Sequence, residues 1–227
     1  MVLFKKVFVV FSNRGIEILL YLPDSYLNMV KALFFDFDGV IHDTFDLAFG
    51  VNKKLYPEIT EEEYLQMFEG NLYEHKRITK ENAEDFFELQ NKAFRALKIE
   101  EDIRKELLSL KERYLMFIIT SNMEETINKY LQNNEMTHAF EDVLGYETHS
   151  SKVEKFKKIM REHGLKKEEC LFITDTLGDL LEAKKVGIKT LAVEYGFHDK
   201  ERLRRGKPLR IISHLGEIHP IIEELGL

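Results

Sequence analysis

Cysteine is nearly absent: Cys170 is the only one in 227 residues, so no disulfide closes within the chain. That usage fits a reducing compartment. Long hydrophobic runs are missing too. No stretch approaches the roughly 18 consecutive apolar residues that mark a membrane-crossing helix, so no membrane partner is expected. Positive charge is in deficit, with a net charge of −7. A nucleic-acid binder usually shows a basic face, so no nucleic-acid partner is expected either. A small anionic substrate remains compatible, because a local pocket can oppose the global charge. Neither an internal repeat nor a low-complexity tract is visible. What is present suits a packed core: 44% hydrophobic and 32% charged residues, enough for one domain or one domain with an insert.

Residues 1–28 stand apart as an N-terminal extension. Lys5 and Lys6 precede the apolar run Val7–Phe11, which is shorter than the roughly 7–15 residues of a signal-peptide core, and no small-residue cleavage site follows. A cytoplasmic location is therefore expected. Two apolar runs, Val7–Phe11 and Ile16–Leu22, flank the turn signal Ser12-Asn13-Arg14-Gly15. They read either as a small hairpin or as a stretch preceding a natural start at Met29.

From Ala32 the pattern changes. Ala32-Leu33-Phe34-Phe35 is a short apolar run of the kind buried on both faces of a parallel sheet. Similar runs recur at Tyr114–Thr120, Cys170–Thr174, Thr190–Val193 and Leu209–Ile212. Helical stretches separate the later ones: Glu124–Asn134, Lys152–His163, and Leu177–Val186 stopped by Gly187. This alternation predicts an α/β fold with a parallel sheet.

One interval lacks strands. Between about Asp46 and Leu97, Thr60-Glu61-Glu62-Glu63 is a capping-box pattern. Lys80–Lys98 then carries Phe86, Phe87, Leu89, Phe94 and Leu97 mostly at helical spacing. The sequence thus divides into an extension at 1–28, a core at 29–45 and 99–227, and a helical insert at 46–98. An insert at the carboxyl end of a first strand overlies the place where α/β sheets bind ligands, so a cap is the favoured reading over surface padding.

Four signals carry chemistry. Asp36-Phe37-Asp38-Gly39-Val40 follows the first strand run, and alternate residues share a strand face. Two carboxylates this close repel unless a cation compensates, and magnesium prefers such oxygens. Gly39 permits a sharp exit from the strand. Phe117-Ile118-Ile119-Thr120-Ser121-Asn122 is a strand ending in hydroxyls before an acidic helix start. Such a place suits a phosphate oxygen, or an ordinary N-cap. Ser150-Ser151-Lys152 puts a lysine at a helix N-terminus, against the macrodipole, which points to an anion or to a plain surface lysine. Leu171–Thr174 leads into Asp175-Thr176-Leu177-Gly178-Asp179, two more carboxylates at a strand end.

The order of these signals resembles that of the haloacid dehalogenase superfamily. Asp36-Phe37-Asp38-Gly39 looks like its first motif, Thr120 its second, Lys152 its third, and Asp175 with Asp179 its fourth. The resemblance spans about residues 30–215. The insert is similar to the family's C1 cap. The stretch Tyr195-Gly196-Phe197-His198-Asp199, with Pro208 further on, looks like the tail of phosphoglycolate-phosphatase-type members. The resemblance implies a Rossmann-like three-layer α/β/α core with a small all-helical cap after strand 1. Three positions depart from the pattern. Val153 follows Lys152 where many members have proline. Thr174 stands where glycine is usual. Val40 stands where phosphatases often have threonine, and also occurs in sugar-phosphate mutases.

By that resemblance the chain is a magnesium-dependent phosphatase of a small phosphorylated metabolite, working through an aspartyl-phosphate. Asp36 is the nucleophile and Asp38 the general acid and base. Gly39, Thr120, Ser121, Asn122 and Lys152 bind the phosphoryl group. Asp36, Asp38 (through its carbonyl), Asp175 and Asp179 serve the metal, with Asp179 acting through water or by orienting Lys152. Two rival readings are a sugar-phosphate mutase and a non-catalytic binding or regulatory protein. Within the insert, Lys53, Lys54, His75, Lys76 and Arg77 either meet an anionic substrate tail or form a solvated face. His42 and Asp43 lie near the hinge, with Asp43 expected to orient it. Phe45, Phe49 and Tyr56 are expected in the core of the insert.

Overall fold

The computed structural model describes residues 29–75 and 96–227 throughout, the strand backbones at 6–11 and 17–22, and residues 87, 89–91, 93 and 94. Near the N-terminus β1 (Lys6–Phe11) and β2 (Glu17–Leu22) pair antiparallel, Lys6 opposite Leu22 and Phe11 opposite Glu17. The turn residues Ser12, Asn13, Arg14 and Gly15 between them lie outside the described residues.

The main sheet contains β3 (Ala32–Phe35), β4 (Leu115–Ile119), β5 (Asp142–Leu144), β6 (Cys170–Thr174), β7 (Lys189–Val193) and β8 (Arg210–Ile212). Their order is β5-β4-β3-β6-β7-β8, and every pairing is parallel. The period-2 rule accounts for the layering. Leu33 and Phe35 of β3 face one hydrophobic cluster, while Ala32 and Phe34 face another. Met116 and Ile118 of β4 alternate with Phe117 and Ile119 in the same way.

Helices cover both faces. α3 (Glu101–Lys111), α4 (Glu124–Asn133) and α8 (Ile218–Leu225) supply Leu107, Ile127 and Ile221 to the first cluster. α5 (Lys152–Glu162) and α6 (Leu177–Val186) supply Phe156 and Ala183 to the second. The result is the parallel α/β sheet expected from the alternating runs, in the three-layer α/β/α form that the resemblance implies. Each phenylalanine buried in it contributes about 1.5–3 kcal/mol over an exposed one. Helix α6 stops at Gly187, in the left-handed region at φ 76°, as its position after the last apolar residue predicts. The strand β5 had no signal of its own. It is three residues long, and its partner β4 rather than its composition makes it a strand.

Between β3 and α3 lies the helical insert: α1 (Phe45–Leu55), α2 (Glu61–Gln66), and 3₁₀ turns at Met67–Glu69 and Leu72–Glu74. Thr60 and Glu63 close the capping box in both directions. Phe45, Phe49, Tyr64 and Phe68 form an aromatic group completed by Phe197, which arrives from the loop after β7. A short helix α7 (Lys200–Gly206) follows that loop. Phe86, Lys76 and Arg77 lie outside the described residues.

Candidate active site

Parallel strands end on the same edge of a sheet, and adjacency in the order β4-β3-β6 brings three such ends side by side. Asp36 leaves β3, Thr120 leaves β4 and Asp175 leaves β6. The first turns of α5 and α6 add Lys152 and Asp179 at the same edge. Ligands collect at this carboxyl edge in open α/β sheets.

Lys152 is the centre of charge. Its Nζ lies 2.9 Å from Asp36 Oδ2 and 2.6 Å from Asp179 Oδ2, and the side chain is buried. Thr174 also donates to Asp179 Oδ2, at 2.7 Å. Burial works against the carboxylate of Asp179, yet the Lys152 ammonium and these hydrogen bonds hold its pKa below the ordinary value. Burial likewise opposes the charge of Lys152, and Asp179 and Asp36 overcome it, raising the lysine pKa. The helix-terminal lysine thus has an ion-pair role, and Asp179 is its anchor.

Asp36 and Asp38 have different surroundings despite adjoining positions. Asp36 Oδ1 accepts from the Phe37 N–H at 2.8 Å and Oδ2 faces Lys152. Burial raises its pKa well above the usual carboxylate range, and Lys152 offsets only part of that. Asp38 Oδ1 accepts from the Thr44 hydroxyl at 2.5 Å, and Oδ2 from the Asn122 carboxamide at 2.6 Å. Burial pushes its pKa up to about 6, against the pull of those bonds. Gly39 takes φ +69°, and a Cβ there would lie 2.0 Å from Asp175 Oδ2, so both backbone and space require glycine.

Asp175 is fully buried. Its Oδ2 accepts from the Phe197 N–H at 2.7 Å, while among the described residues Oδ1 has no hydrogen-bond partner. Burial pushes its pKa up to about 8. Four buried or half-buried carboxylates therefore face one ammonium in contact, with one buried oxygen unmatched. Such an excess of negative charge is costly without a cation, and the donors are hard oxygens suited to one. Among the described residues no three His, Cys, Asp or Glu side chains converge as a ready cage. Both oxygens of Asp36, both of Asp38 and one of Asp179 already have a partner, which leaves Asp175 Oδ1 as the unmatched buried donor oxygen among the described residues. The fit is to an ion that takes Asp36 and Asp175 side chains and completes its shell with main-chain oxygen and water.

Thr120 differs from its neighbours. It is fully buried, and its Oγ1 accepts from the Asn122 N–H at 3.1 Å. The polar recess at the strand ends is walled by Ser121, not Thr120. Its carbonyl accepts from Lys155 Nζ at 2.6 Å, and Lys155 is fully buried. Burial and the neighbouring Lys152 push the Lys155 pKa down to about 7.

Of the insert residues singled out in the sequence, Lys53 donates to the Pro57 carbonyl at 3.0 Å and lies over the Phe49 ring. Neither Lys53 nor Lys54 is on the cleft wall. Asp43 accepts from the Phe45 N–H at 3.2 Å, at the start of α1, and His42 Nδ1 meets the Tyr130 hydroxyl at 3.0 Å. Phe45 and Phe49 pack within the insert, whereas Tyr56 also lines the cleft.

Several residues went unmarked in the sequence because their partners are distant along the chain. Glu182 Oε1 accepts from the Ser151 hydroxyl at 2.7 Å, from the Lys152 N–H at 3.1 Å and from Asn71 of the insert at 3.1 Å. His198 accepts the Leu177 N–H at Nδ1 (2.9 Å) and meets the Leu65 carbonyl of the insert at Nε2 (2.9 Å). Tyr73 donates to the Ser121 carbonyl. Gly178 packs so closely that a Cβ would lie 2.2 Å from the Gly70 carbonyl. The insert is thereby fastened over the strand ends.

A family model described as haloacid dehalogenase-like hydrolase matches residues 33–193. A Caldanaerobacter subterraneus protein provisionally named as a pyrophosphatase, PpaX, is 27% identical over 86% of this chain and 95% of its own length. A phosphoglycolate phosphatase of Vibrio parahaemolyticus is 22% identical over 85% of this chain and 96% of its own. Other curated relatives match over about half their length. Among solved structures, a haloacid dehalogenase-like family hydrolase of Streptococcus pneumoniae superposes with a TM-score of 0.68 at 23% identity, covering 85% of this chain and 98% of that one. No helix among the described residues is long and apolar enough to cross a membrane.

Proposed function

This chain belongs to the haloacid dehalogenase-like hydrolase family, and from that premise we propose that it hydrolyses a small phosphate monoester through an aspartyl-phosphate on Asp36. Its relatives named as phosphoglycolate phosphatase and pyrophosphatase share phosphoric ester or anhydride cleavage as their chemistry. The observation that carries the reading is the contrast between Asp36 and Asp38. One carboxylate faces an ammonium at the strand tip. The other is held by Thr44 and Asn122 with a pKa near 6, suited to exchanging a proton close to neutrality.

In the first step Asp36 forms a bond to phosphorus as the bond to the leaving alcohol oxygen breaks, and Asp38 gives that oxygen its proton. In the second, Asp38 takes a proton from water as the water oxygen joins phosphorus and Asp36 is released. The products are the alcohol and inorganic phosphate. Lys152, fixed by Asp179, and the Ser121–Asn122 loop hold the phosphoryl oxygens, with Thr120 setting the turn of that loop. Mg2+ is the ion that suits the donors; Asp36, Asp175 and the Asp38 carbonyl would hold it. When bound it would supply positive charge against the phosphate and the approaching carboxylate. The insert, residues 46–98, acts as the cap, with Tyr73 and Asn71 reaching the Ser121 and Ser150 carbonyls beside the phosphoryl end.

The test is phosphate release from a panel of phosphate esters with and without Mg2+, together with Asp36→Asn. Turnover should vanish in that variant, and acid-quenched wild type should carry a phosphoryl mass on the peptide holding Asp36. Full activity of Asp36→Asn would overturn the assignment. Isomerised sugar phosphate without phosphate release would assign a mutase instead.

A further inference from the structure

Lys152 begins helix α5, an end where the macrodipole disfavours a cation. The fold sets a carboxylate against that end. Glu182, buried on α6, brings its Oε1 to the first turn of α5. That oxygen accepts from the Ser151 hydroxyl at 2.7 Å and from the Lys152 N–H at 3.1 Å. Ser151 in turn accepts from the Val153 N–H at 3.2 Å. The end of α5 is therefore capped twice, by its own serine and by an acid from the neighbouring helix. Negative charge there offsets the misfit of the lysine, and hydrogen bonds to a carboxylate are among the strong ones.

The same oxygen is where the insert lands. Asn71 donates its carboxamide to Glu182 Oε1 at 3.1 Å and to the Ser150 carbonyl at 3.3 Å. Gly178 lies one helical turn before Glu182, on the same face of α6. The insert backbone passes so close there that a Cβ would lie 2.2 Å from the Gly70 carbonyl and 2.8 Å from that of Phe68. Glycine gives the insert its path along the helix, and glutamate gives it a polar stop. Asn71 Oδ1 also accepts from the Tyr73 N–H at 2.9 Å, and the Tyr73 hydroxyl donates to the Ser121 carbonyl. One short segment, Gly70 to Tyr73, thus touches both stretches that flank the polar recess: the loop after β4 and the turn before α5.

Glu182 and Asn71 line that recess together with Asp36, Lys152 and Asp175. A carboxylate repels phosphate, and Glu182 Oε1 already serves three donors. Its part is to hold other groups rather than the phosphoryl oxygens.

We propose that Glu182 is a positioning residue: through its Oε1, docking of the insert at Asn71 sets the N-terminus of α5 and with it the Lys152 ammonium. The inference rests on the phosphatase reading above, in which Lys152 holds the phosphoryl oxygens. Such coupling is reciprocal. An insert docked on Glu182 tightens phosphate binding, and phosphate beside Lys152 tightens the insert.

The test uses inorganic phosphate with Mg2+ present as the probe, so it does not depend on the identity of the ester. Affinity is read by isothermal titration calorimetry, and docking by amide exchange in residues 68–73 with and without phosphate. In wild type, phosphate should slow that exchange. In Glu182→Ala it should bind about tenfold more weakly, within the usual range of coupling between sites, and the slowing should vanish. Glu182→Gln keeps a carbonyl oxygen for all three donors and should recover most of both effects. Asn71→Ala removes the hold of the insert without touching α5, so it carries the test even if Glu182→Ala does not fold. It should weaken phosphate several-fold and abolish the slowing. The double variant of Asn71→Ala and Glu182→Ala should bind no more weakly than Glu182→Ala alone. Additive losses would mean that Asn71 meets phosphate on its own, and would overturn the relay. Unchanged affinity in Asn71→Ala or Glu182→Ala, or exchange that phosphate leaves unmoved in wild type, overturns the inference while the phosphatase reading stands on its own Asp36 test. No binding of phosphate to wild type overturns both readings together.

Discussion

Lys155 donates its Nζ to the carbonyl of Thr120 at 2.6 Å from a fully buried position. It thereby ties helix α5 to the loop that carries Ser121 and Asn122. Burial, with Lys152 nearby, sets its pKa near 7, while Asp36, Glu182 and Asp179 pull the other way. A lysine lowered in the fold binds fewer protons folded than unfolded at pH values between that value and its ordinary one. Wild-type stability should thus rise with pH from about 7 to about 10 relative to Lys155→Met. Urea midpoints of the two proteins across that range check it. A parallel pH dependence would remove Lys155 as the source. The variant should also lose about tenfold in kcat, because a freed Thr120 carbonyl lets the loop shift, and misplacements of this kind are costly.

Asp38 is held at both oxygens, so its contribution should be chemical rather than architectural. Asp38→Asn keeps an acceptor for Thr44 and changes little in shape, and the Asn122 carboxamide can turn its oxygen to meet the new N–H. Phosphate release should fall by about 10²–10⁴, the range for removing a general acid and base, with the melting temperature near that of wild type. Acid-quench experiments should show both formation and breakdown of the phosphoenzyme slowed. Loss of binding with kcat unchanged would assign Asp38 to positioning instead.

The fold was legible because its strands are self-declaring. Ala32–Phe35 and Cys170–Thr174 are apolar on both faces, as central parallel strands must be, and their ends mark the site. Asp36, Lys152 and Asp179 could be picked out by their place at strand and helix ends. What spacing does not encode is which oxygen is occupied. Asp179 could serve the metal through water or orient Lys152, and only the fold brings the Lys152 ammonium, 27 residues away, within 2.6 Å of it. Thr120 reads as a phosphate contact or as a cap, and only the fold shows its Oγ1 accepting from the Asn122 N–H. Tyr64, Phe68, Tyr73 and Phe87 of the insert meet Phe197 of the loop after β7, so their common chamber exists only in three dimensions. β5 was invisible because three residues carry no periodicity.

Asp175 makes a metal-dependent stability prediction with an unusual sign. Its pKa rises to about 8 on folding, so the folded protein holds a proton the unfolded chain has lost. Without metal, stability should fall as pH rises from about 4 to about 8. Asp175→Asn keeps an acceptor for the Phe197 N–H and removes the charge. In EDTA at pH 7.5 or so the variant should therefore melt higher than wild type. Millimolar Mg2+ should raise the wild-type melting temperature by mass action and leave the variant unmoved. Differential scanning fluorimetry in the four conditions decides it. An equal Mg2+ shift in both proteins would place the ion elsewhere.

The insert is fastened to the core partly by charge. Arg202 of α7 reaches Glu62, and reaches Glu69 at 3.1 Å; Arg205 is bidentate to Glu69 at 3.0 and 2.8 Å. Glu62 and Arg205 are exposed and Arg202 and Glu69 are half-buried at the rim, so the pairs should add little to global stability. Their effect should fall on the position of the insert, which is also fastened through Phe197, His198, Tyr73, Asn71 and the Gly70–Gly178 contact. Glu69→Gln should leave the melting temperature within about 2 °C of wild type, the shift expected for a fraction of a kcal/mol. KM should rise several-fold, and amide exchange should speed up in residues 60–75. Raising salt from about 0.05 to 0.5 M should reproduce the KM effect in wild type, since the screening length falls well below the span of these pairs' surroundings. The same salt step should do little in Glu69→Gln. A large drop in melting temperature with unchanged exchange in the insert would show that Glu69 holds the fold as a whole rather than the closed position of the insert.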